Sequence, residues 1–366
     1  MFAMLQGAWP RVTSDGIDIA VLEADVAAGR ADAAVLEAAL DQLVREVLAA
    51  QAEAGLDLLT DGQVRWPDMA EAVRLCIFEA RLEADRPLVA AWRSAAAAAP
   101  EGTTVAQAVP GPYTVGRLAI QDALRRTNEA GEAPPPPAEV ADTRFGVTVA
   151  VADALAGEIE ALVAAGCQMV VVEEPDAVAI GEDASERALF STASRRLLER
   201  SAGAHAMLAI IGGSAHEAGS ATFFDAPWQS ILVDLIAGAD NWNLVRQTPG
   251  DRGVIVAALT VREDELEIDQ APELVWASQY AASANGRGFD RVGLTNATRL
   301  ADRSPAAARM ALRQLALAAK YAAMPIADAV EAGLDERTVR DARPIPATNN
   351  RASRRRQARE GKQTGR

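Results

Sequence analysis

Hydrophobic positions along this chain fall into two alternating textures. Short, nearly continuous apolar bursts occupy Phe2–Leu5, Leu56–Thr60, Val105–Val109, Met169–Val172, Met207–Ile211, Ile231–Asp234, Val254–Ala258 and Arg291–Leu294. Bursts this short, with no polar alternation, are the pattern of strands covered on both faces. Between them lie longer Ala-rich stretches with helical spacing. In Ala33–Ala54, residues Val35, Leu36, Leu40, Leu43, Val44, Val47 and Leu48 fall on one stripe. The same reading predicts helices at Val140–Ala165, Glu186–Arg200, Ala271–Ala284 and Pro305–Ala322. Eight strands alternating with helices predict an α/β fold of the (β/α)8 TIM-barrel kind, with a doubly wound open sheet as the competing architecture.

Two segments break the rhythm. Asn128–Val140 carries four consecutive prolines and reads as an extended surface loop. Arg351–Arg366 has seven basic residues and one acidic, the composition of a disordered, solubilising end. A barrel over residues 1–345 followed by a basic tail over 346–366 is therefore expected. A contact of that tail with RNA or an acidic partner is the second reading of it.

Composition narrows the function classes. With 366 residues, half of them hydrophobic, the chain can bury a large core, and global disorder is excluded. A formal charge of −15 argues against a nucleic-acid surface, which needs clustered Lys and Arg. Two cysteines, Cys76 and Cys167, build neither a disulfide framework nor a Cys-rich metal site. The opening MFAMLQGAWPR has no charged n-region or long apolar run, and no stretch has the length and apolarity of a membrane span. A cytoplasmic protein with a small-molecule substrate and no membrane partner is expected.

In a barrel of this kind, chemistry sits where strands end. The residues that follow the strands gather Trp9, Arg11, Asp61, Gln63, Arg65, Asp68, Tyr113, Glu173, Glu174 and Asp234 at one rim. A carboxylate directly after Met169–Val172 stands desolvated in the mouth and suits an ammonium group or a proton transfer. Its structural alternative is to cap the next helix or pair with an Arg. Gly62 and Gly111-Pro112 read as turn formers by spacing alone. No G-x-G-x-x-G or Walker motif occurs, and Ile211-Gly212-Gly213-Ser214 lacks the spacing of a phosphate cradle. His205, His216 and Glu217 match no usual zinc pattern. A Ser-His-Asp triad lacks its nucleophile elbow, and Cys167, just before a buried strand, reads as core.

Four rim segments, in order, carry a resemblance. Gly7-Ala8-Trp9-Pro10, Asp61–Met69, Gly111-Pro112-Tyr113-Thr114, and Ala165-Gly166-Cys167 with Val170–Pro175 resemble the strand ends of the catalytic barrel of cobalamin-independent methionine synthase. That family belongs to a superfamily that also holds uroporphyrinogen decarboxylase, and the resemblance spans about Leu5 to Ala322. It implies a methyltransferase-like barrel enzyme acting in methyl or one-carbon transfer, with Glu173 at the position that binds the substrate amine. The Ser and Glu that the family places near its amino-acid substrate correspond here to Ala8 and Gln63. The family's zinc ligands correspond to Ile210, Gly212, Asp234 and a position near Thr298, and its acid His falls near Ala258. One carboxylate among these lacks the ligand count and softness zinc requires, so a metal-free relative is expected.

On this reading Glu173 and Asp234 are the catalytic pair, and Trp9, Arg11, Gln63, Arg65, Asp68 and Glu174 bind substrate. Gly111, Pro112, Tyr113, Thr114 and Trp66 would meet a folate such as 5-methyltetrahydrofolate. Trp9, Trp66 and Tyr113 offer faces for a pterin ring, with structural packing as the other explanation for each. Two further readings stand beside it. One is a cofactor-free lyase or decarboxylase with Arg11, Arg65 and Arg299 as carboxylate clamps. The other is a non-catalytic, small-molecule-binding barrel.

Overall fold

A computed structural model describes residues 1–66, 86–264 and 269–334. Its strands are β1 (Phe2–Ala3), β2 (Leu58–Leu59), β3 (Thr104–Val105), β4 (Gln107–Pro110), β5 (Met169–Glu173), β6 (His205–Ile210), β7 (Ser230–Asp234), β8 (Gly253–Leu259) and β9 (Val292–Asn296). All pair in parallel. Seven form one sheet in the order β1-β9-β8-β7-β6-β5-β4. A parallel bridge between Met4 and Leu58 joins β1 to β2, and β2 pairs with β3. Only Ala106 separates β3 from β4, and its N–H donates to Leu59 O at 2.8 Å. The ring therefore closes on itself, and each sequence-predicted strand occupies one place in it. The fold is a TIM barrel rather than an open doubly wound sheet.

The helices are α1 (Ile19–Ala27), α2 (Ala33–Ala54), α3 (Pro87–Ala98), α4 (Pro112–Glu129), α5 (Pro137–Ala165), α6 (Ala184–Leu198), α7 (Ser220–Phe224), α8 (Trp242–Gln247), α9 (Ala271–Ser283), α10 (Pro305–Ala322) and α11 (Ile326–Glu331). Local chemistry sets their ends. Asp32 caps α2 by accepting from Ala34 N, and Gly55 ends it in the left-handed region. Proline occupies the first turn of α3, α4, α5, α9 and α10, where its missing N–H costs nothing. That preference corrects the reading of Asn128–Val140 as one long loop. Asn128 and Glu129 complete α4, Pro137 opens α5, and the extended connection shrinks to residues 130–136. The predicted basic tail and Cys76 lie outside the described residues. Cys167 is core: its Sγ donates to Met169 O, and burial pushes the thiol up to about 11. No described helix is long and apolar enough to cross a membrane.

Strand alternation splits the core in two. Ala3, Leu5, Val170, Val172, Leu208, Ile210, Val254 and Val256 face the surrounding helices. Met4, Leu58, Ala106, Val171, Met207, Leu232 and Ile255 fill the barrel's interior. One step further along the strands, the same inward register delivers Gln6, Glu173 and Asp234 to the C-terminal mouth.

Candidate active site at the barrel mouth

Glu173 ends β5 with its side chain 8% exposed. Two carboxamides donate to the same oxygen, Oε1: Gln6 Nε2 at 2.7 Å and Gln63 Nε2 at 2.5 Å. Among the described residues nothing donates to Oε2. Burial pushes the carboxyl up to about 7, the two amides pull it back, and nearby Asp61 adds to the rise. A proton acceptor poised near neutrality thus stands at the mouth with one oxygen tied and the other free. Beside it lies a crevice lined by Gln6, Gly7, Thr60, Gln63 and Glu173, with about 10 Å³ of room for the centre of a water-sized sphere. One ammonium group is of that size.

The two amides are themselves held. Asn296, ending β9, accepts from Gln6 N at 3.0 Å and donates to Gln6 O at 2.9 Å, so β9 fixes the residue that follows β1. Gln63 follows Gly62 in a turn where both residues have positive φ, 51° at Gln63. A non-glycine residue there costs about 1 kcal/mol, and such strain collects at functional sites. Gly62 is obligatory for its own reason: a Cβ would come within 2.9 Å of Trp9 Cβ and of Val47 Cγ1. Asp61 Oδ1 accepts from Gln63 N at 2.9 Å and sets the turn; burial raises its carboxyl as well.

Glu174 faces the other way. Its oxygens accept from Tyr113 N at 3.0 Å and Thr114 N at 2.8 Å, the free N–H groups at the start of α4. This is a carboxylate clamp on a helix N-terminus, and burial pushes the group up to about 7. Gly111 makes it geometrically feasible, because a Cβ there would lie 2.0 Å from Glu174 Cδ. Glu174, Gly111, Pro112, Tyr113 and Thr114 therefore form a structural joint, and the N–H groups expected to meet a folate are already taken. The Thr114 hydroxyl accepts from Asp176 N at 3.2 Å.

Several rim candidates point away from the mouth. The Arg11 guanidinium binds both oxygens of Glu23 and Val64 O. Arg65 reaches Glu37 and Asp41 on α2. Neither is a free carboxylate clamp. Tyr113 is fully buried, edge-on to Phe190, with Arg144 lying 5.0 Å over its ring and Glu186 accepting from its hydroxyl at 2.6 Å. Trp9 and Trp66 are 2% and 3% exposed within the outer core. None of the three rings presents an open face for stacking. Asp68 lies outside the described residues.

Asp234 is also committed. Its Oδ1 accepts from Ile236 N and Ala237 N, both at 2.8 Å, and its Oδ2 accepts from Gly212 N at 3.0 Å. Asn241 completes the seam by donating to Asp234 O and Gly213 O and accepting from Ala215 N. This network corrects the catalytic role expected of Asp234: the side chain ties the loops after β6 and β7 together. Asp234→Asn keeps one acceptor oxygen, so about 1–2 kcal/mol of stability should go, with faster amide exchange at Gly212, Ile236 and Ala237. Unchanged exchange at all three would contradict the seam.

The positions where the resemblance implies zinc can be tested on their donors. Ile210 and Gly212 offer no side-chain ligand, Thr298 Oγ1 accepts from Val261 N at 2.9 Å, and the Asp234 carboxylate is held by three N–H groups. No group of three or more His, Cys, Asp or Glu gathers among the described residues. The residues at those positions do not fit zinc.

Sequence reasoning passed over Gln6, Asn241 and Asn296. Gln6 carries a usable signal, being the first polar residue after a predicted strand and at inward register. The two asparagines show their roles only once the strand ends are side by side.

No protein-family model and no curated protein matches this chain. Solved structures do. A putative vitamin-B12-independent methionine synthase from Listeria monocytogenes is similar with a TM-score of 0.59 at 14% identity, over 88% of this chain and 98% of that one. A B12-independent methionine synthase from Shewanella sp. W3-18-1, described as in complex with selenomethionine, is similar with a TM-score of 0.62 at 14% identity, over 90% and 98%. Likeness at this identity establishes a shared barrel over nearly the whole of both chains.

Proposed function

We propose that this protein is a metal-independent enzyme of methyl or one-carbon transfer that receives the amine of a small, amino-acid-like substrate at Glu173. The observation that carries the reading is the half-tied carboxylate: Oε1 held by Gln6 and Gln63, Oε2 free beside an ammonium-sized crevice. The similarity to a barrel described with selenomethionine supports a substrate of that kind. Gln63 donates to Glu173 and adds no second negative charge, so the pocket offers one carboxylate to one ammonium. Asp234, Asn241 and Asn296 hold the strand ends in register around it. In the transfer, a methyl group leaves a reduced-folate nitrogen for the nucleophile of the substrate, and the nucleophile's proton passes to that nitrogen. The lyase reading loses support because Arg11 and Arg65 are bound to acidic side chains.

Calorimetric titration of EDTA-dialysed protein with L-methionine, L-homocysteine and 4-(methylthio)butanoic acid tests the reading. The amino acids should bind at least tenfold more tightly than the deaminated analogue, with 5-methyltetrahydrofolate quenching tryptophan fluorescence on the same sample. Equal binding of the deaminated acid, or binding only after zinc is added, would overturn it. Amino-acid binding without any folate response or turnover would favour a non-catalytic binding barrel.

A further inference from the structure

The opposite end of the barrel is open. Phe2, Met169, His205, Ser230 and Gly253 are the first residues of β1, β5, β6, β7 and β8, and together they line a hollow of about 560 Å³. Bulky branched side chains normally close this layer. Here Ser230 and Gly253 stand side by side in register, and Gly293 has no side chain under the Phe2 ring, so the layer stays unfilled. The floor is apolar: Phe2, Met169 and Ile255.

The walls are rich in donors. A ring nitrogen of half-buried His205 is hydrogen-bonded to Ser230 Oγ at 2.8 Å. Gln229 Oε1 is fixed by Ala206 N at 2.9 Å, and its NH2 makes no hydrogen bond among the described residues. Arg252 is anchored through Nη1 on Trp228 O, with Nε 3.8 Å from Asp251. Arg291 stands at the rim and forms no ion pair with a described residue. The acids at the rim, Asp251 and Asp290, are exposed; Asp251 is 75% so.

We propose that this hollow is a second binding site, for a small carboxylate with an apolar body, which Arg252, Arg291 and the Gln229 amide would hold by its oxygens while Phe2, Met169 and Ile255 receive its hydrocarbon. Guanidinium groups pair with a carboxylate through paired N–H donors, and a largely apolar concavity with a few convergent polar groups is the usual form of a ligand site. The barrel separates this hollow from Glu173, so the site stands or falls independently of the reading at the mouth.

The chain has only two histidines, His205 and His216, which makes imidazole proton resonances a local reporter. Benzoate is the probe, with benzyl alcohol and inorganic phosphate as controls, and His216→Gln assigns the signals. Benzoate should move the His205 signals saturably and leave His216 in place, with either control at least tenfold weaker. Arg291→Ala or Arg252→Ala should weaken benzoate at least tenfold, and Glu173→Gln should not alter it. No saturable movement of His205, equal response to benzyl alcohol, or no effect of either Arg substitution would overturn the proposal.

Discussion

Glu173→Gln is expected to leave the protein folded, more stable at pH 8, and unable to bind its amine-bearing substrate. The amide has the shape of the carboxylate and keeps an oxygen for Gln6 and Gln63, but it presents no negative charge. The stability sign follows from burial. Glu173 has a folded pKa pushed up to about 7 from a model value of 4.5. Between these two values the folded state holds more protons than the unfolded one, so stability falls as pH rises. The burden is absent below 4.5 and complete above 7, where it amounts to roughly 3 kcal/mol. Urea unfolding should therefore show the variant more stable than wild type at pH 8, with the gap closing toward pH 5. A variant less stable at pH 8, or one that still binds the substrate, would remove Glu173 from the role given to it.

Gly111→Ala should be among the most damaging single-methyl additions at the rim. The new Cβ would sit 2.0 Å from Glu174 Cδ and 2.5 Å from Oε1. Glu174 would have to swing away and release the N–H groups of Tyr113 and Thr114, at a cost of about 3 kcal/mol or more. Glu174→Ala alone should cost about 2 kcal/mol, because the start of α4 loses its acceptor. In the double variant the clash has no second party, so its loss should fall short of the sum by at least about 1.5 kcal/mol. Strictly additive losses in thermal unfolding would mean that the two residues do not act as one joint.

The barrel was legible because its strands are buried on both faces. Runs such as Met169–Val172 and Val254–Ala258 have no competing helical reading at that length, and Ala33–Ala54 matches α2 end to end. The site was legible only where a residue sits on a strand's own inward register, as Glu173 does. Side-chain direction in the following turns was not legible. Arg11 and Arg65 follow strands and could face the mouth, yet Glu23, Glu37 and Asp41 on α1 and α2 draw them outward. Gly111–Thr114 reads as a loop, because the carboxylate that makes it a helix start lies about sixty residues away in Glu174. Asp234 looks like a reactive acid in sequence, and only the folded loops show the three N–H groups it serves.

The most direct measurement is the ionisation of Glu173 itself, by carbon-13 NMR titration of carboxyl-labelled glutamate, with Glu173→Gln identifying the signal. In the free protein the resonance should titrate near pH 7. With L-methionine saturating, the neighbouring ammonium should lower that midpoint by at least one unit. A midpoint near 4.5 in the free protein, or one that L-methionine leaves unmoved, would contradict a buried carboxylate waiting for an amine.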